Sequence, residues 1–330
     1  MDRRSALRSG SPGVQPSRVQ PSRVQPSRVQ PSRRAFLAGT ALALATAACG
    51  RSSPVGAASP AGATATMRIG AIPDQDPEVL QRLHGTVAES LSAALDLDVT
   101  YSPVTDYAAA VSLFRTGDLD LVWFGGLTGV QARLQAPGAQ PIAQRDIDES
   151  FHSVFVVNAA TGLAASDDLR PLAGLRFTYG SETSTSGRLM PAYFLQQAGV
   201  DPQGFPGGPG FSGSHDATIA LVASGTYQAG VLNEQVWTSR SAEGSVDPAV
   251  VQYARTPGYH DYHWLLGPQA PPRFGGDVAE RLTGYFTGLS ADDPGDAAVL
   301  ELFGAGSFVP ARASDYDQIE EIGRSLGLVS

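Results

Sequence analysis

From Met67 onward the chain predicts an α/β fold in two lobes joined by two hinge crossings. Three observations carry that expectation. Short apolar runs alternate with amphipathic stretches of helical period, which is the pattern of successive βαβ units. The 264 residues that follow the first 66 of the 330 exceed what one hydrophobic core usually serves. They contain no internal repeat of solenoid length.

Residues 1–31 are a low-complexity extension in which the unit VQPSR recurs; a period of five with Pro in every unit suits neither helix nor strand. Residues 32–48 have the shape of a twin-arginine signal peptide: Arg33 and Arg34 precede Phe36, Leu37 and an Ala/Leu stretch ending at Ala48. That stretch falls short of the roughly 18 apolar residues a membrane span needs. Small residues lead into Cys49, the only cysteine of the chain, in the manner of a bacterial lipobox, so lipidation of Cys49 is expected; the competing reading is a plain signal cleaved near Ala48. Residues 49–66 then form a Gly/Ser/Pro/Ala linker, with a reach of roughly 20–25 Å as a flexible coil.

In the body, Met67–Ile72 reads as a strand. Asp76 and Pro77 open a helix as N-cap and first-turn proline, and Leu80, Leu83, Val87, Leu91 and Leu95 give it one apolar face. Asp98–Pro103 is a strand, Tyr107–Arg115 a helix closed by Gly117, and Leu119–Phe124 a strand. Further strands are expected at Val154–Asn158, Arg176–Tyr179 and Gly230–Leu232, and helices near 188–198, 215–224, 277–288 and 315–326. Crossings near Val157 and Tyr259 would make lobe 1 from 67–157 plus 258–330 and lobe 2 from 158–257, with a ligand cleft between them.

Charge narrows the function. All 23 basic residues are arginine; residues 1–48 carry +7, which leaves 15 − 31 = −16 for the rest. An acidic body argues against nucleic acid as a partner. A single cysteine excludes internal disulfides and CxxC sites, and the absence of lysine excludes Schiff-base chemistry. No GxSxG, HExxH or Gly-rich dinucleotide loop occurs, and nothing pairs a nucleophile with an oriented base, so a binding protein without cofactor is expected rather than an enzyme.

Three segments could hold a ligand. Ser184, Thr185 and Ser186 lie between a strand and a helix, where hydroxyls, backbone N–H groups and the positive helix start make an anion site without a basic side chain; ordinary capping explains the same run. Pro191 suggests that the helix proper begins there and that Ser184–Gly187 form a turn stacked on its end. Ser214 reads as the N-cap of a helix in which His215 either donates to an oxyanion or stands solvated in the first turn. Tyr107 and the run Trp123–Gly125 sit at strand ends, where ligands of open α/β sheets collect, although core packing accounts for Trp123 as well. His260 and His263 would face opposite sides of a strand, which disfavours a metal.

With these residues in hand, the chain resembles the periplasmic substrate-binding proteins of phosphate/phosphite/phosphonate ABC transporters, and within them the branch of putative selenate binders. IGAIPDQDP at Ile69–Pro77, VTDYAAAV at Val104–Val111, GDLDLVWFGGLTGVQAR at Gly117–Arg133, STSGRLMP at Ser184–Pro191, GSHDA at Gly213–Ala217 and FVPARASD at Phe308–Asp315 carry the likeness. It implies a type II periplasmic-binding-protein fold that closes on its ligand, a permease and an ATPase as partners, and a monomer. It also implies an anion held by Ser184, Thr185, Ser186, His215 and Tyr107, with Phe124 where the family has a second tyrosine. Carboxylates that read an aminoalkyl tail have no secure match: Glu234 is nearest, beside neutral Gln235. These departures point to a small bare oxyanion, selenate first, with phosphite or a phosphonate as the alternative and a surface anion sensor as another. Selenate and sulfate want donors only, whereas a protonated phosphorus anion also wants an acceptor, for which Glu182 and Asp216 are the candidates.

Overall fold

The computed structural model describes residues 65–330; the twin-arginine segment, Cys49 and the linker up to residue 64 lie outside the described residues. The chain begins β1 (Thr66–Ala71), α1 (Pro77–Leu95), β2 (Asp98–Tyr101), α2 (Tyr107–Thr116), β3 (Leu121–Phe124), α3 (Gly126–Gln135) and β4 (Gln140–Arg145). It continues β5 (Ser153–Asn158), β6 (Phe177–Tyr179), α4 (Met190–Gln197), β7 (Gly210–Phe211), α5 (His215–Ala223), β8 (Ala229–Asn233), α6 (Glu234–Ala242) and β9 (Val250–Arg255). It returns as β10 (His263–Leu266), α7 (Ala270–Phe274), α8 (Val278–Gly288), α9 (Pro294–Phe303), β11 (Phe308–Val309) and α10 (Asp317–Ser325).

Two mixed sheets result. One has the order β11-β4-β10-β3-β1-β2 and the other β7-β6-β8-β5-β9. In the first, β1 pairs in parallel with β2 and β3, while β10 returns antiparallel between β3 and β4. Its core is one large cluster in which the leucines of α1 meet the sheet, Leu91 and Val87 being fully buried as the helical spacing requires. Asp76 caps α1 by accepting from the Glu78 N–H, and Pro77 stands in the first turn, where its missing donor costs nothing.

β5 explains the second sheet. It lies between β8 and β9 and is buried on both faces. Val154 and Val156 pack with Ile219 and Val222 of α5, and Phe155 and Val157 pack on the other face with Phe177 and Leu195. Val157 is therefore mid-strand, paired with Ala229 and Val251, and the first passage between sheets precedes Ser153 rather than falling at Val157. A strand covered on both sides shows no alternation that would mark its boundary. The return passage does run past Tyr259, and the two passages bond to each other through Phe151 and Tyr259, with N···O distances of 2.8 and 3.0 Å.

Candidate functional site

Each side chain of the site is set by local chain chemistry. β6 ends at Tyr179, and Ser184 caps the following turn by accepting from the Gly187 N–H at 2.9 Å. Thr185–Leu189 form a π-helical turn stacked on the end of α4, which starts at Met190 with Pro191 in its first turn. The turn is packed inward, so Ser184, Thr185 and Ser186 are all buried. Asp106 caps α2 by accepting from the Ala109 N–H, which makes Tyr107 the first helical residue and buries it. Ser214 caps α5 in the same way through the Ala217 N–H, and His215 follows it, fully buried rather than solvated.

These elements converge with the loop after β1, the Gly125–Gly126 turn after β3, and the return passage at Asp261 and Tyr262. The Leu127 N–H donates to Thr185 Oγ1 at 3.0 Å, and the Gly126 N–H to Asp261 Oδ1 at 2.9 Å. Gly125 permits the approach: a Cβ there would lie 3.1 Å from Thr185 Oγ1 and 3.2 Å from Asp261 Oδ1. The His215 N–H donates to the Asp74 carbonyl at 2.9 Å. Tyr262 donates to Asp74 Oδ2 at 2.7 Å and accepts from Asn233 Nδ2 at 3.0 Å. The Asn233 N–H donates to His215 Nδ1 at 3.4 Å, which leaves the proton of a neutral ring on Nε2, 3.4 Å from the Tyr262 hydroxyl.

Burial sets the charge states. It pushes Asp261 up to about 7, against the pull of the Gly126 N–H and the Thr185 hydroxyl. It pushes Asp74 up to about 6, against the Tyr262 hydroxyl and the Arg145 charge. It holds His215 down at about 4, so the ring is neutral near pH 7, and raises the Tyr107 hydroxyl well above its ordinary value. Arg145 is the buried cation nearby: it forks onto Asp148 at 2.6 and 2.7 Å and lies 5.1 Å from the centre of the Tyr262 ring.

Three buried polar atoms here have no partner: Tyr107 Oη, Ser186 Oγ and Asp261 Oδ2. Two can donate and one can accept. Thr185 Oγ1 accepts from the Leu127 N–H and Ser184 Oγ from the Gly187 N–H. The arrangement supplies several donors and a carboxyl acceptor to one small polar guest, and no serine in it is hydrogen-bonded to a histidine.

The sequence-derived residues divide. Ser184, Thr185, Ser186, His215 and Tyr107 come together. Phe124 is fully buried as a core residue, edge-on to Phe114 at 5.6 Å. Glu182 is exposed beside Arg188, and Glu234 is paired with Arg255 at 2.7 Å. Asp216 is tied to Arg240 at 2.8 Å and to the Asp76 N–H at 3.0 Å. Asp216 and Glu234 are engaged by arginines and Glu182 is exposed, whereas Asp261 and Asp74 are the carboxyl groups buried beside the gathered hydroxyls. His260 lies in the loop before β10 rather than on a strand, and both it and His263 face Tyr316, at 6.1 and 4.0 Å between ring centres. Among the described residues no cluster of three or more His, Cys, Asp or Glu side chains could hold a metal.

Two mixed α/β sheets joined by paired passages, with a buried polar site fed by both, define a periplasmic-binding-protein fold. The chain belongs to the family described as "ABC transporter, phosphonate, periplasmic substrate-binding protein", which matches residues 69–316. It is thus the extracytoplasmic substrate-binding component of an ABC importer, and its relatives are transport proteins rather than enzymes. It is 48% identical over 268 residues, 80% of this chain and 90% of the relative, to the probable ABC transporter phosphite binding protein PhnD1 of Prochlorococcus marinus strain MIT 9301. The structure of that PhnD1 in complex with methylphosphonate superposes with a TM-score of 0.78, covering 80% of this chain and 99% of that one. A binding protein component of an ABC phosphonate transporter from Pseudomonas aeruginosa shares the fold at 17% identity, with a TM-score of 0.68 over 78% of this chain and 85% of that one.

Proposed function

We propose that this protein captures a small phosphorus oxyanion that still carries a proton, phosphite or methylphosphonate, and delivers it to its permease. The observation that carries the reading is Asp261 Oδ2: a fully buried carboxyl oxygen without a partner, among unpartnered hydroxyl donors. Ser184, Thr185, Ser186, Tyr107 and His215 Nε2 donate to the anion's oxygens, and Asp261 accepts the hydrogen of its P–OH. Asp74, through Tyr262, stands behind them. Selenate and sulfate have no proton at neutral pH. Each brings a dianion to a buried carboxyl and no hydrogen of its own, so the contact is like-charged unless the carboxyl takes up a proton. This favours the phosphorus anion over the selenate expected from the finer resemblance, and the 48% identity to a probable phosphite binding protein supports the same choice.

The rest of the account extends the reading. The two sheets act as lobes hinged at the paired passages through Phe151 and Tyr259, and Thr185–Leu127 and His215–Asp74 are contacts of the closed form. The protein works as a monomer, exported by the twin-arginine route and anchored through lipidated Cys49. Among the described residues no helix is long and apolar enough to cross a membrane. Calorimetry at pH 7 with phosphite, methylphosphonate, phosphate, sulfate and selenate tests the assignment. Phosphite or methylphosphonate is expected to bind at micromolar concentration or below and the two proton-free dianions at least a hundred-fold more weakly; selenate binding as tightly as phosphite overturns it.

A further inference from the structure

We propose that Asp216 and Arg240 form a latch that holds the two lobes closed over the bound anion without touching it. The inference rests on the anion-capture reading and concerns what keeps the ligand in rather than what recognises it. α1 packs on the first sheet and α5 on the second, through separate hydrophobic clusters. Their N-terminal ends meet. The His215 N–H at the start of α5 donates to the Asp74 carbonyl at 2.9 Å, and the Asp76 N–H at the start of α1 donates to Asp216 Oδ2 at 3.0 Å. Two helix starts brought together set positive dipole ends against each other, and a carboxylate between them turns that repulsion into attraction.

Arg240 of α6 places the carboxylate for this role. Arg240 Nε donates to Asp216 Oδ1 at 2.8 Å and Nη2 to Oδ2 at 3.3 Å, while Nη1 donates to Glu243 at 3.1 Å. Both carboxylate oxygens of Asp216 are thereby engaged, and its side chain and that of Arg240 are 28% and 20% exposed. They stand at the rim, whereas Ser184, Thr185, Ser186 and His215 are buried. Every bond of the latch runs between protein groups, so its contribution is the same whichever anion lies inside. A protein that holds its ligand in one form has an apparent affinity that scales with the population of that form, so losing the latch lowers every affinity by one factor. A second strap, from Gln235 Nε2 of α6 to the Phe303 carbonyl at 2.7 Å, joins the lobes independently; loss of Asp216 therefore weakens closure without abolishing it.

Calorimetry and stopped-flow kinetics on the full-length chain with phosphite and methylphosphonate test this in the unchanged protein, Asp216→Ala, Arg240→Ala and the double variant. Asp216→Ala is expected to weaken both anions by the same ~3–10-fold, the worth of one partly exposed hydrogen bond. The loss is expected in the dissociation rate, with association altered by less than about two-fold. Arg240→Ala is expected to lose part of that, and the double variant no more than Asp216→Ala alone, because the arginine acts through the aspartate. If Asp216→Ala does not fold, the dissociation rate of Arg240→Ala decides alone. An unchanged dissociation rate in the variants overturns the latch. So does a phosphite-to-methylphosphonate ratio that shifts by more than about three-fold, which would put the pair in contact with the ligand. If the unchanged protein binds neither anion, the phosphorus reading falls and the latch with it.

Discussion

Replacing Asp261 with Asn changes one atom at the centre of the proposed site. Asp261 Oδ1 accepts from the Gly126 N–H at 2.9 Å, and an asparagine carbonyl can keep that bond. The amide nitrogen then stands where Oδ2 stands now, buried and without a protein partner. For a P–OH group this turns a donor–acceptor contact into donor against donor. A hydrogen bond to a charged acceptor contributes about 1.5–3 kcal/mol, so phosphite affinity is expected to fall by ~10–150-fold. For selenate the same exchange removes a negative charge and adds a donor, so its binding is expected to strengthen. Calorimetry of both anions at pH 7 before and after the substitution reads both effects, and circular dichroism checks that the fold persists. A change in phosphite affinity below about three-fold, or a selenate affinity that also falls, refutes the assignment of Asp261 as acceptor.

Other expectations concern neighbouring residues. Tyr107→Phe removes a buried hydroxyl that has no protein partner, so phosphite binding should weaken ~10-fold or more while ligand-free thermal stability holds or rises; loss of both would make the tyrosine structural. Gly125→Ala places a methyl 3.1 Å from Thr185 Oγ1 and should weaken binding by about ten-fold through misplacement, with the secondary structure intact by circular dichroism; unchanged affinity would show that the contact yields freely. The pH dependence of ligand-free stability follows from five buried groups. His84, His215 and His263 are held at about 3, 4 and 3, so each costs stability as pH falls through 6.5. Asp74 and Asp261, raised to about 6 and 7, do the opposite between about 4 and 7. Three minus two leaves about one proton, which Asp148, also raised by burial, reduces further, so near pH 5 stability should rise with pH by at most about 1.4 kcal/mol per unit and level off near pH 7. Denaturant unfolding across pH 5–8 measures it, and a fall over that range would contradict the charge states.

What the sequence disclosed follows from where its signals are local. Asp76–Pro77 and the leucines of α1 announce a helix, and Ser184, Ser214 and Tyr107 sit at capping positions whose chemistry is written in neighbouring residues. α3 escaped because Gly126, Thr128 and Gly129 share its buried face with Leu127, Val130 and Ala132 and dilute the apolar period. β4 escaped because it reads Gln-Pro-Ile-Ala-Gln-Arg, with a buried arginine at its end. The sequence offers Glu182 and Asp216 as acceptors, since they neighbour the Ser/Thr run and the histidine along the chain. Asp74 and Asp261 are the proposed acceptors instead: passages distant in sequence bury them, and burial of a carboxyl has no signature along the chain. The segment His260–His263 drew attention to its histidines, while the contribution to the site comes from Asp261 and Tyr262 between them.

The central claim is that ligand and site share one proton. Calorimetry of phosphite binding at pH 8 in buffers of different ionisation enthalpy counts protons directly. With Asp261 near 7, carboxyl and ligand are both largely ionised before they meet, so the account predicts uptake approaching one proton per phosphite bound and an affinity that falls by up to about ten-fold per unit as pH rises further. Phosphite bound at pH 8 with no proton taken up would contradict it.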